Sequence, residues 1–184
     1  MQSQGVAFTC DFESGYADSA NWVFANGSNS NPWVLGSAYH AGSGSRSAYI
    51  SNDGGTSANY SGSAQISYLY REVTFPAGSY ILSYDWLCNG ESTYDFLRVA
   101  LVPSTVALTP STSIPLGFTS TSLPTGWIAL DGGSKLNLST SFQNHTEEFD
   151  VATTTTYRIV FAWKNDGSVY NQPAACVDNI TLTA

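Results

Sequence analysis

Positive charge is scarce in this sequence. Six lysines and arginines stand against fourteen aspartates and glutamates in 184 residues, for a net charge of −8. A phosphate-binding face needs clustered basic residues, and so few spread over the whole chain exclude a nucleic-acid interface. No apolar run approaches the roughly 20 residues of a membrane span, so insertion into a bilayer is not expected. A basic, apolar leader is missing as well: Met1-Gln2-Ser3-Gln4 reads as a trimmed start, and residues 1–5 are expected to be a disordered N-terminus outside the domain. The three cysteines, at 10, 88 and 176, have no CxxC or Cys/His spacing of the kind that holds zinc. His40 and His145 stand apart, without a Gly-x-Ser-x-Gly elbow. Glu147 and Glu148 are adjacent on a strand, point to opposite faces and cannot flank one glycosidic bond. No enzyme is expected from this inventory.

Apolar residues and glycine are plentiful. Hydrophobic residues make up 42% and aromatics 14%, against 11% charged, the composition of a chain that buries a core. One domain over residues 6–184 is the simplest division. The 16 glycines, with abundant Ser, Thr and Asn, imply many short strands joined by turns.

Period-two patterns dominate the pass along the chain, and no long helical period survives. Phe8, Cys10 and Phe12 alternate with Thr9, Asp11 and Glu13. Residues 14–47 read as loop-rich, punctuated by Trp22 and Trp33. A short strand at 47–51 runs into the turn Asn52-Asp53-Gly54-Gly55. Strands follow at 66–75 and 79–88, where Tyr80, Leu82, Tyr84, Trp86 and Cys88 share a face, and then at 95–102. Residues 103–126 hold four prolines and read as a long surface connection. Trp127 to Leu130, then 141–151, 156–164 and a closing strand from Ala175 to Leu182 complete eight to ten strands. The fold expected is all-β: a two-sheet antiparallel β-sandwich of jelly-roll type. Trp22, Trp33, Trp86 and Trp163 are expected in its core, whereas Tyr16, Tyr39, Tyr60, Tyr94 and Tyr170 fall in loops and are expected to be more exposed.

The two ends carry a similar message. Cys10-Asp11-Phe12-Glu13 and Cys176-Val177-Asp178-Asn179 each interleave apolar residues with carboxylates or carboxamides. If the first and last strands are neighbours, oxygen ligands converge at one seam, and Ca²⁺, which takes six to eight oxygens, is the fitting ion. Glu13, Asp178, Asp53, Asn52 and Asp11 are the candidate ligands. The alternative is that Asp11 and Glu13 are solvated strand residues and Asp53 serves only its turn. Neighbouring ends also make a Cys10–Cys176 disulfide conceivable, against burial of all three cysteines as small hydrophobes. A second cluster, Glu91, Asp95, Asn165, Asp166 and Tyr170, sits at the ends of strong strands and is a candidate ligand site, against ordinary loop polarity.

In their order, several segments resemble one family. Phe12-Glu13-Ser14-Gly15 with Trp22 and Trp33, then Ala48-Tyr49-Ile50, and the closing Val177-Asp178-Asn179-Ile180-Thr181-Leu182 are similar to the MAM and cleaved-adhesin jelly rolls, above all those of Bacteroidetes surface proteins. Gly90-Glu91 with Asp95-Phe96-Leu97-Arg98-Val99, and residues 157–168 ahead of Pro173, extend the similarity over about residues 6–184. The MAM cysteine set is incomplete, so its disulfide scheme does not carry over. The resemblance implies a secreted or cell-surface module for adhesion to glycans or extracellular proteins, often with bound calcium and monomeric as an isolated domain. The reading is therefore a non-catalytic adhesion or carbohydrate-binding module with a structural Ca²⁺. Its rivals are a glycoside hydrolase or polysaccharide lyase on a sandwich fold, and a structural spacer or protein-docking domain.

Overall fold

A computed structural model describes residues 5–13 and 19–184. Residues 1–4, with Ser14, Gly15 and Tyr16 of the motifs above, lie outside the described residues. The described residues form eleven strands in two antiparallel sheets. The first sheet holds β1 (Phe8–Cys10), β3 (Trp33–Gly36), β4 (Ser47–Ile50), β6 (Gly78–Cys88), β9 (Ser139–Val151) and β11 (Cys176–Thr183). Its order is β3-β4-β11-β6-β9, with β1 also paired to β11. The second sheet holds β2 (Val23–Ala25), β5 (Gln65–Phe75), β7 (Phe96–Pro103), β8 (Ile128–Ala129) and β10 (Thr155–Asn165), in the order β2-β5-β10-β7-β8. No helix among the described residues is long and apolar enough to cross a membrane.

Alternation places the core between the sheets. Tyr80, Leu82, Tyr84, Trp86 and Cys88 of β6 meet Leu97, Val99 and Leu101 of β7 and Ile159, Phe161 and Trp163 of β10 in one buried cluster. Each such large side chain, fully buried, contributes roughly 1.5–3 kcal/mol. Aromatic edges interlock across the layer, as where Tyr84 meets Phe161 at 5.2 Å between ring centroids. Trp22, Trp33, Trp86 and Trp163 all belong to this core.

Strand β10 is buried on both faces. Val160 and Ala162 point away from the main core and join a second cluster with Ile66, Tyr68, Phe96, Ala100, Val102 and Phe118. The chain between β7 and β8 covers this outer face, packing Val106, Leu108, Ile114, Leu123 and Trp127 onto it. The proline-rich surface connection is thus a strap over an apolar sheet. Buried Arg98 anchors it, donating through Nη1 to the carbonyls of Thr119 (2.6 Å) and Ser122 (2.9 Å) and pairing with buried Asp131.

Two differences from the sequence reading have simple causes. Strands β2 and β3 occupy the stretch read as loop. They are three and four residues long, too short for alternation to register among flanking Asn, Ser and Gly. The conceivable Cys10–Cys176 bridge does not form. Cys10 lies opposite Ile180, so Cys176 is four residues further along β11, about 13 Å away by strand rise, beyond disulfide reach. All three cysteines are buried, Cys88 and Cys176 as free thiols whose burial raises their pKa.

Candidate functional site

The first and last strands do lie side by side, with Phe8 opposite Leu182 and Cys10 opposite Ile180. Just beyond, the chain after β1 and a bulge in β11 bring Glu13 near Asp178, with Asp11 beside Glu13. The register of β11 against β6 shifts between Asp178 and Thr181, where Asn179 takes a left-handed φ of 49°. The carboxylate of Asp178 accepts from the backbone N–H of Ala41 (2.9 Å) and of Asn179 (2.8 Å). Glu13 accepts from the N–H of Ser45 (2.8 and 2.9 Å) and of Arg46 (3.0 Å), and from the Ser45 hydroxyl (2.8 Å). Asp11 accepts from the N–H of Glu13 at 3.0 Å. Asp11, Glu13, Ala41, Gly42, Ser43, Gly44 and Asn179 line a polar cavity of about 400 Å³.

The two acids of this seam are tuned in opposite directions. Backbone N–H groups of Ser45 and Arg46 hold Glu13 below its ordinary value. Burial, with Glu13 and Asp85 adding repulsion, pushes Asp178 up to about 6 despite its two N–H donors. Asp178 is 1% exposed and takes part in no ion pair among the described residues. A buried carboxylate facing other acids and lacking a counter-ion suits a hard cation. No soft ligand lines this seam; the carboxylates whose oxygens converge to ion-binding distance among the described residues are those of Glu91, Asp95 and Asp166.

Asn52 and Asp53 lie elsewhere. Tyr49 pairs with Cys176 and Ile50 donates to Ala175, so the turn after β4 runs off the end of β11 away from Asp178. There Asp53 accepts from the hydroxyls of Ser51 (2.6 Å) and Ser57 (2.5 Å), which hold it below its ordinary value. Asn52 donates to the Ser61 hydroxyl at 3.0 Å. The seam is built instead from backbone amides of residues 41–46, which leave no side-chain signature. Gly44 is the readable trace, since a Cβ there would fall 2.3 Å from Glu13 Oε1.

The second cluster converges at the end of the sandwich formed by the loops after β6, β8 and β10. One carboxylate oxygen each from Glu91, Asp95 and Asp166 lies within 4.8 Å of the others. Asp95 is fully buried, accepting from the Tyr60 hydroxyl (2.7 Å) and the N–H of Asp166 (2.7 Å). Burial dominates and pushes its pKa up to about 6. Glu91 is raised as well, by desolvation and by Asp166, and its Oε2 is screened from solvent with no donor. Gly90 permits the tight return, at a φ of +66° and with Asp95 O only 2.2 Å from where a Cβ would stand. Asn165 is wholly buried and its amide is spent internally, on Asn31, Trp163, Ser63 and Asp166, so it holds the loop rather than reaching a ligand.

The loop tyrosines divide. Tyr94 is 51% exposed and Tyr170 37% exposed at this rim. Tyr60, expected outside, is buried against Trp163 (4.8 Å between centroids) because its hydroxyl satisfies Asp95. Tyr39 is half-buried on Tyr49. Lys164 completes the rim, its ammonium donating to the Tyr94 carbonyl at 2.6 Å.

These layers define a jelly-roll β-sandwich. Its fold is shared with the CBM22-1 xylan-binding domain of Paenibacillus barcinonensis Xyn10C, at a TM-score of 0.58 and 9% identity over 99% of this chain and 96% of that one. It is shared too with the C-terminal family 22 carbohydrate-binding module of Clostridium thermocellum Xyn10B (0.55, 11%, 96% and 91%). The K1 cleaved adhesin domain of Lys-gingipain from Porphyromonas gingivalis W83 has the same fold (0.53, 15%, 98% and 99%), so the adhesin-like resemblance holds at the level of architecture. By sequence, no family model and no curated protein matches the chain.

Proposed function

We propose that this chain is a non-catalytic adhesion or carbohydrate-binding module of a secreted or cell-surface protein, with a structural Ca²⁺ at the seam of Asp11, Glu13 and Asp178. The observation that carries the binding role is the rim where exposed Tyr94 and Tyr170 flank Glu91 and Asp166. Aromatic faces beside hydrogen-bonding carboxylates suit a pyranose, which has an apolar face and a ring of hydroxyls. Fold-level likeness to xylan-binding and adhesin domains supports the same reading. The strap directs binding to this end, because it covers the outer face of the second sheet. Ca²⁺ would fasten the two ends of the chain by supplying the counter-charge that Asp178 lacks. A glycan array alongside metal analysis of the purified protein tests both parts. Retention of a glycan without release of reducing ends, and calcium near one per chain, are expected; release of reducing ends sinks the non-catalytic reading.

A further inference from the structure

We infer that the loop end around Glu91 and Asp166 docks a positively charged protein segment, one carrying lysine or arginine among apolar side chains. This rests on reading that end as the binding rim and names its partner class.

The first support is what the rim displays. Among the described residues, the exposed large hydrophobics number eight, and four of them stand here: Leu138 (60%), Val169 (53%), Tyr94 (51%) and Tyr170 (37%). Their loops are tied into one platform. The N–H of Gly90 donates to Asn171 O (3.0 Å) and that of Leu138 to Asn89 O (2.7 Å), while the Asn137 amide donates to Ser92 O and Asp95 O. Leu138 and Val169 hold left-handed φ values of 61° and 56°. That conformation disfavours a β-branched residue, yet a valine fills it with its side chain in solvent. A pyranose gains by stacking on flat rings but little from branched aliphatics, whereas alkyl side chains of a protein partner pack on both.

The second support is charge. The three clustered carboxylates face one ammonium group, that of Lys164. Lys164 donates to Tyr94 O and Lys135 to the Asn137 side chain, and neither forms an ion pair with the cluster. Glu91 Oε2 is left shielded and without a donor. A lysine or arginine head group supplies counter-charge to Asp166 and the solvent-facing part of Glu91, while its methylene stem lies on the rim's apolar side chains.

The full chain is titrated with a peptide of alternating lysine and leucine, a matched glutamate–leucine peptide and a neutral xylo-oligosaccharide, each with calcium and with chelator. The lysine peptide is expected to bind, the glutamate peptide not, and chelator to leave the affinity unchanged. The pair Glu91→Gln with Asp166→Asn, and separately Leu138→Asn with Val169→Asn, should each weaken binding about tenfold, the size of a typical hot-spot loss. Asparagine tolerates left-handed φ, so the second pair keeps the backbone, which circular dichroism checks. Unchanged affinity in the asparagine pair means attraction by net charge alone and overturns the inference. Dependence on calcium overturns it too, because the carboxylates then hold an ion. Xylo-oligosaccharide binding lost in the rim variants, with no peptide effect, overturns it and leaves the carbohydrate reading standing. Rim variants that affect no ligand at all defeat both.

Discussion

The Arg98 guanidinium and the Asp131 carboxylate form an ion pair of 2.7 Å with side chains 1% and 0% exposed, and Asp131 also accepts from the N–H of Val99. Through Arg98 the same pair holds the carbonyls of Thr119 and Ser122, so β7 grips the strap that roofs its own sheet. Replacing Asp131 by Asn leaves a buried guanidinium without its counter-charge. Such removal costs about 3–5 kcal/mol. Urea denaturation of Asp131→Asn should therefore show a large loss, with Trp127 fluorescence shifting as the strap loosens. A change below about 1 kcal/mol would mean the pair is not desolvated as described.

At the seam, Ca²⁺ should raise the melting temperature by several degrees, and chelator should reverse this, because an ion bound only by the folded state stabilises it by mass action. Asp178→Asn and Glu13→Gln should abolish the response, whereas Asp53→Asn should not, since Asp53 sits in its own turn. Melting curves with and without calcium for the three variants decide it. A lost response in Asp53→Asn alone would contradict the geometry.

The same acids set a pH dependence. Asp178 and Asp95 rise to about 6 on folding from an ordinary 3.8. Between these values the folded chain binds more protons than the unfolded one, so stability falls as pH rises through that window. Glu13 and Asp53 act oppositely: their stabilisation is present above the ordinary carboxylate range and is lost as pH drops through their lowered values. In chelator, the melting temperature should thus climb as pH is lowered from 7.5 to about 5 and fall again below about 4. Saturating calcium should make the upper limb shallower, since the ion replaces the proton on Asp178 and leaves the share of Asp95. An upper limb indifferent to calcium would detach Asp178 from any cation site.

Thiol titration provides an independent check of the sandwich. Buried thiols with raised pKa react slowly. Native protein should leave Cys88 and Cys176 unmodified by a thiol reagent, and the denatured, unreduced chain should release three equivalents. A release of one equivalent would reveal a disulfide that the β1–β11 register forbids.

Much of the fold is legible because alternation over eight or more residues, as in β6 and β10, has only one reading. Short β2 and β3 escape that test, and the strap's apolar residues carry no period, so their role on the second sheet is invisible along the chain. Of the seam, Asp178 on the closing strand and Asp11 and Glu13 just after β1 were readable as carboxylates near the terminal strands, while Asn52 and Asp53 were drawn in by residue type alone. Their turn follows from the direction of β4, which composition does not give. The rim acids were readable as strand-end residues. Leu138 and Val169 were not, because exposure of an aliphatic residue depends on what fails to cover it.

The sequence by itself determined the all-β class, the aromatic core and the scarcity of positive charge, since these follow from residue type and period-two spacing. Tertiary structure alone decided which acids became neighbours and which tyrosine was buried. It also decided whether two cysteines could meet. Those outcomes turn on strand register and loop path, where one residue of shift turns a side chain from core to solvent.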